Sequence, residues 1–192
     1  MTTRAESAAR TRRELLAAAG ALLDEGGPEA VTLRAVGAAA GVSRGAPYGH
    51  FVDKGELLAS VAIESWSALT AALRELQEDS RLAPVDRLRR SLHLLLDLAR
   101  GRPHRYAIMF VAPERNPEAL LGAAAETQDA FLDIVADVVG SADARRSAAL
   151  LMASTHGVAS MEANGQLDGE KWGTSAPELV DELIDLVGGR AS

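Results

Sequence analysis

The 192 residues contain no cysteine, which excludes disulfides, thiolate catalysis and cysteine metal sites. Aromatic residues make up only 4%, and no stretch alternates β-branched and aromatic residues between turns, so a sheet has little to build on. No uninterrupted apolar run approaches the ~18 residues needed to cross a bilayer, and the chain is expected to be cytoplasmic, with no membrane partner. Residues 10–23, "RTRRELLAAAGALL", have the basic start and short apolar run of a secretory leader. Glu14 interrupts that run, however, and Asp24 and Glu25 stand where a small-residue cleavage site belongs. Chemistry-bearing patterns are missing too: no His pair at i, i+4, no HExxH, no nucleophile elbow, no phosphate-cradling glycine loop and no dinucleotide fingerprint. His93, His104 and His156 fall on separate elements. No metal, no cofactor and no catalytic activity are expected.

What is present is the composition of a helical globular protein. Hydrophobic residues are 47% and charged residues 24%, enough to bury a core, with alanine and leucine dominating. The formal net charge is −7, which at first sight argues against nucleic acid. Its distribution points the other way. Residues 1–60 hold seven Lys/Arg and seven Asp/Glu, whereas the rest holds thirteen against twenty, so the whole excess is carried by the second part. Two parts with two jobs are implied.

The apolar spacing is helical nearly throughout. A first helix is predicted over about 10–25, after an arm of residues 1–9 expected to be flexible, with Gly26 and Gly27 ending it. Thr32 caps a short second helix carrying Leu33, Val36 and Ala40. Gly41 ends that one, Val42 is the buried residue of a tight turn, and Ser43 caps a third. Further helices are expected over about 54–78, 85–100, 104–111, 118–139, 142–166 and 177–187. The fold class is therefore all-α, about nine helices in all: a three-helix head over 1–53 and a larger bundle over 54–192.

The stretch "GVSRGAPYGHFVDKGELL", residues 41–58, concentrates Gly45, Pro47 and Gly49 between good helices. Two short helices joined by a Gly-Val-Ser turn form a helix-turn-helix whose second helix enters the DNA major groove. Gly45 and Ala46 let the backbone approach base edges, and Pro47 falls in a first turn where its missing N–H costs least. Arg44, Tyr48, His50 and Lys54 supply donors, and Phe51 is the anchor against the first two helices. An ordinary helical hairpin has the same spacing, so geometry alone leaves both readings open.

The segment "TLRAVGAAAGVSRGAPYGHFVDKGELLASV" resembles the DNA-binding region of TetR/AcrR-family transcriptional regulators. The shared features are Thr32-Leu33, Ala40-Gly41-Val42-Ser43, Tyr48-Gly49-His50-Phe51 and Lys54, over about residues 10–60. That resemblance implies phosphate contacts from Thr32, Tyr48, His50 and Lys54, a base-proximal set of Ser43, Arg44, Gly45 and Pro47, and Arg34 beside them on the DNA face. Two positions depart from the family pattern. Gly49 lacks the basic or polar side chain many members carry there. Gly37 replaces the usual alanine, which should cost the second helix about 1 kcal/mol.

A TetR-like protein is a homodimer whose larger helical body binds a small effector, and residues 155–167, "THGVASMEANGQL", resemble the His-Gly branch of the family. The resemblance implies a repressor of a palindromic double-stranded operator, released by a largely apolar small molecule. In the body, Ala149, Ala153, Gly157, Ser160 and Asn164 form a small-residue stripe, and Leu179, Val180, Leu183, Ile184 and Val187 an apolar face. Those last two helices are expected to form a four-helix dimer interface, although packing within one chain would use the same faces. Candidate pocket residues are Trp66, Leu69, His93, Tyr106, Met109, Phe110, Gln128, Phe131, Met152 and His156, a mostly apolar set with a few polar groups. A helical small-molecule enzyme or carrier with a degenerate head, or a helical interaction module, stand as the alternative readings.

Overall fold

A computed structural model describes residues 3–111 and 117–189. Among these residues every regular element is helical. In order they are α1 (Arg4–Ala30), α2 (Leu33–Ala39), a 3-10 turn (Pro47–Gly49), α3 (Lys54–Glu78), α4 (Pro84–Gly101), α5 (Pro103–Met109), α6 (Pro117–Val139), α7 (Ser141–Ala163), α8 (Gly169–Trp172) and α9 (Ala176–Gly188).

The helix ends follow local chemistry. α1 begins six residues earlier than the apolar spacing suggests, so residues 4–9 are helix rather than a flexible arm. Thr3 Oγ1 accepts the Glu6 N–H at 3.2 Å and the Glu6 carboxylate accepts the Thr3 N–H at 2.7 Å, a capping box that holds the first turn. The glycine pair does not end the helix outright. Gly27 breaks it with φ 68°, and Pro28 starts one more turn to Ala30. Thr32 caps α2 as expected, accepting the Ala35 N–H at 3.1 Å. α8, capped by Asp168, is a single short turn that the apolar period does not reveal.

Two compact units form, one of residues 1–66 and 104–123, the other of 67–103 and 124–192. The first therefore does not close at residue 53. Its core joins Leu15, Leu16, Ala19 and Leu23 of α1 to Val31, Leu33, Val36 and Phe51, and it needs Leu57 and Val61 of α3 as well, all 8% exposed or less. Ile108 of α5 packs against the same cluster. α1, α2 and the 3-10 turn enclose too little apolar area by themselves, and the start of α3 supplies the rest.

In the second unit α4, α7 and α9 pack pairwise. Leu88, Leu92, Leu95 and Leu96 of α4, Leu151 and Ala159 of α7, and Val180, Ile184 and Val187 of α9 are buried. Cation–carboxylate pairs stitch the helices: Arg100 to Glu162 at 2.6 Å, Arg87 to Asp137 at 3.2 Å and Arg89 to Asp181 at 3.1 Å. Among the described helices α3 alone is long and apolar enough to cross a membrane by length and composition. Leu57, Val61, Ala62, Trp66, Leu69 and Leu73 of that helix are buried in the protein, as expected of a core helix.

Candidate nucleic-acid interface

The segment after α2 turns sharply. Gly41 takes φ 66°, and Val42 N–H donates back to Gly37 O at 3.1 Å. Residues 44–50 then form turns around one 3-10 element, not the regular third helix the spacing predicts. The Ala46 N–H donates to Ser43 O at 3.0 Å, the Gly49 N–H to Ala46 O at 3.1 Å and the Phe51 N–H to Pro47 O at 2.9 Å. Gly45, Pro47 and Gly49, so close together, are too poor in helix propensity to sustain a run of i→i+4 bonds, so i→i+3 bonds dominate and the Phe51 N–H to Pro47 O bond closes the turn with a single i→i+4 step.

This turn is fixed from behind. Phe51, 2% exposed, sits in the head core. Pro47 is also buried, in the space beside Gly37, where a Cβ on residue 37 would stand 2.8 Å from Pro47 Cγ. Two expectations change accordingly. Pro47 faces the protein and not the base-proximal side. Gly37 accommodates the proline ring, so its low helix propensity has a packing reason.

Thr32, Arg34, Ser43, Arg44, Gly45 and Tyr48 are exposed, Tyr48 to 61%, while His50 and Lys54 are half-buried. No side chain stands where a Cβ on Gly45 or Gly49 would project, so the backbone there is open to close approach. Lys54 opens α3, whose first turn is closed by two reciprocal bonds. Asp53 Oδ1 accepts the Glu56 N–H at 2.8 Å, and Glu56 accepts the Val52 N–H at 2.7 Å. Both acidic groups near the surface are thereby committed to capping. Apart from Val52, 69% exposed, the outward side chains here are cationic and hydroxylic, the equipment for phosphate and base-edge contact.

Arg12 has a different role from its exposed neighbours. It donates to Ser60 Oγ at 3.1 Å and lies 4.9 Å from the centre of the Phe51 ring, so it ties α1 to α3 and to the turn. Glu64 lies further along the surface of α3. Partial desolvation pushes its carboxyl above the usual range, against the pull of Arg12 and Arg105. A raised carboxylate favours the protonated form of the folded state. The stabilisation is therefore fully present below the unfolded value of 4.5 and is lost as pH rises through the folded value. Glu64→Gln should raise the thermal midpoint at pH 7 and give no gain at pH 4; thermal unfolding at the two pH values measures it.

The candidate pocket residues divide between the units. Trp66, Tyr106, Met109 and Phe110 form an aromatic cluster in the first. Trp66 meets Phe110 edge-on at 5.3 Å, Tyr106 lies 4.9 Å from Phe110, and Trp66 Nε1 donates to Met109 O at 3.1 Å. Burial pushes the Tyr106 phenol up to about 12. In the second unit Leu69 and Phe131 are buried and Met152 and His156 half-buried. Gln128 is exposed, and Thr127, one residue earlier on α6, points inward instead. His93 sits 3.0 Å from Asp181, in the α4–α9 ion-pair group. Three buried hydroxyls escape sequence reasoning. Thr70 and Thr127 share a 2.7 Å hydrogen bond, and Thr155 Oγ1 has no hydrogen-bond partner. A groove of about 330 Å³ walled by Ala99, Arg100, Pro103, Ala159, Glu162 and Ala163 escapes it too. Single buried threonines carry no pattern that a linear reading distinguishes from helix filler.

The comparisons with known proteins agree with this geometry. The pattern described as "Bacterial regulatory proteins, tetR family" matches residues 15–61, and "Tetracyclin repressor-like, C-terminal domain" matches residues 88–187, over half of the chain. Among solved structures, a protein of unknown function from Rhodococcus sp. RHA1 is similar at 29% identity and a TM-score of 0.78, covering 94% of each chain. SmeT, in a complex with triclosan, is 27% identical with a TM-score of 0.55, covering 95% of this chain and 90% of its own. The transcriptional regulator SCO7222, a TetR from Streptomyces coelicolor, shares the fold at 21% identity and a TM-score of 0.70, covering 94% and 96%. No curated protein matches the sequence. The chain belongs to the TetR family of bacterial regulatory proteins.

Proposed function

We propose that this regulator is a repressor that binds a palindromic operator as a homodimer and is released by a small, largely apolar effector. The observation that carries the reading is the reading turn itself: Arg44, Tyr48, His50 and Lys54 project from a backbone anchored by Phe51 and Pro47, with nearby carboxylates spent on capping. Functionally, residues 1–53 form the DNA-binding part and 54–192 the effector and dimerisation part. The acidic excess of the second part repels DNA phosphates and leaves contact to the head. The protein works in the cytoplasm, where its DNA is, and catalyses nothing.

Dimerisation is assigned to α7 and α9. Ala149, Ala153, Gly157, Ser160 and Asn164 are all exposed along α7 and its C-cap, which leaves a strip of small residues free for close helix approach. Val180, Ile184 and Val187 of α9 turn inward within the unit, so its contribution to the interface comes from the exposed Leu186 and the half-buried Leu179 and Leu183. The effector is assigned to the apolar interior of the body, where Thr127 and Thr155 offer the polar handles among alkyl walls. The triclosan found on SmeT, an apolar molecule with one hydroxyl, is the kind of ligand such a lining suits.

The test is fluorescence anisotropy on DNA flanking the protein's own gene, at physiological salt and with excess non-specific competitor. Saturable binding to a short palindrome at two protomers or a multiple per site is expected. Binding that competitor removes from every flanking fragment, and from an operator library after selection, overturns the reading.

A further inference from the structure

α5 belongs by sequence to the C-terminal part of the chain, beyond the 15–61 segment that carries the family's DNA-binding pattern. By packing, residues 104–109 belong to the first unit. Their grip on α1 is specific. Arg105 Nε donates to Asp24 Oδ1 at 3.1 Å and Nη2 to Oδ2 at 2.7 Å, a two-pronged pair with only 18% and 26% of the side chains exposed. The guanidinium rests against Gly20, so closely that a Cβ there would collide with Nη2. One residue earlier, the His104 ring fills the space at Gly27, with Cε1 3.1 Å from where a Cβ would stand. Gly20, Asp24 and Gly27 lie on one stripe of α1. That stripe is cut to receive α5.

The rest of α1 is what holds the reading turn. Leu15, Leu16, Ala19 and Leu23 share the core with Phe51, and Arg12 lies over the Phe51 ring while donating to Ser60. α1 is thus held by Arg12 near one end and by Arg105 near the other. Asp24 directly follows Leu23 of the core that seats Phe51, so loosening the Arg105 hold loosens that core.

We propose that Arg105 is a positioning residue for DNA reading, acting through Asp24 and α1 on the Phe51-anchored turn. The proposal rests on the DNA-binding reading above. It extends the DNA-reading apparatus to a pair, 24 with 105, that joins the two halves of the sequence.

The experiment is a double-mutant cycle of Arg105→Ala, Asp24→Ala and both together, in the full-length protein. The readouts are affinity for the operator, affinity for non-specific duplex, and amide hydrogen exchange of residues 4–51. Each single change should weaken operator binding at least tenfold, and the double change no more than either alone, because the pair acts as one unit. Non-specific affinity should stay within twofold, since the outward cations are untouched; a loss through unfolding would lower both affinities together. Exchange should rise through α1 and into residues 43–51. Arg105→Lys, which keeps the charge and loses the fork, should fall between wild type and Arg105→Ala, and it replaces the alanine variant if that one fails to fold. Additive effects, equal loss of specific and non-specific binding, or exchange confined to α5 would overturn the proposal. If the wild-type protein binds no operator at all, the DNA reading fails on its own, and the exchange pattern still decides whether Arg105 holds the turn.

Discussion

Replacing Tyr48 and Lys54 together with alanine should reduce operator affinity by at least ~100-fold while leaving the fold unchanged. Tyr48 stands within the turn, 61% exposed, and Lys54 stands beyond it at the start of α3. Neither belongs to the head core. Each is assigned a phosphate, and a hydrogen bond to a charged oxygen is worth about 1.5–3 kcal/mol when lost, more than the turn spends on holding either side chain. Because one of the lost groups is a cation in each protomer, the salt dependence of binding should also flatten by about two units of slope per dimer. Anisotropy titrations at three salt concentrations, beside circular dichroism and sedimentation of the variant, give both numbers. Undiminished affinity would remove Tyr48 and Lys54 from the DNA contacts; lost helicity would mean that they hold the structure instead.

Phe51→Ala should be the most damaging single change in the head. The ring is 2% exposed and packs with Leu15, Leu16, Val36 and Leu57, with Arg12 over its face. Truncating a buried phenylalanine costs about 3–5 kcal/mol, a large share of the roughly 5–15 kcal/mol that stabilises a typical domain. The thermal midpoint should fall by about 6–20 °C, and DNA binding should go with it because the reading turn has no other large anchor. Phe51→Leu keeps most of the volume and should cost under about 1.5 kcal/mol. Calorimetry of the two variants tests this; a drop of less than about 1 kcal/mol for alanine would mean that the turn is held chiefly by Pro47 in the space at Gly37.

Much of this is legible along the chain, for reasons that differ from place to place. Helices α3, α4, α6, α7 and α9 lie within three residues of the predicted limits at nearly every end, because long runs with one apolar stripe can bury it in only one way. The Thr32 cap and the Phe51 anchor are equally plain: a hydroxyl before an apolar run caps it, and the one wholly apolar ring in a glycine-rich turn is the one to bury. The start of α1 is signalled as well, by Thr3 followed by Glu6, but the apolar period points to a later residue. Where the two signals disagree, the cap decides where the helix starts. The reading turn differs in kind from the expected third helix: three poor helix formers close together are not a tolerated burden on a helix but replace it by a 3-10 turn.

The candidate pocket residues are less legible. Polarity recommends His93 and Gln128, and the structure turns one to Asp181 and the other to solvent. Helical periodicity fixes which residues share a face but not which neighbour that face meets, and a shift of one position along α6 exchanges Gln128 for Thr127.

By itself, then, the sequence determined the helical class, most helix limits and the residue types of the turn after α2, because all three depend on residues near one another in the chain. Only the tertiary structure decided that Pro47 turns inward against Gly37, that Thr70 meets Thr127, and that Arg105 reaches back to Asp24. Those pairings join residues 10, 57 and 81 positions apart. They are set by which helix faces come together when the core excludes water, and no local propensity records that choice.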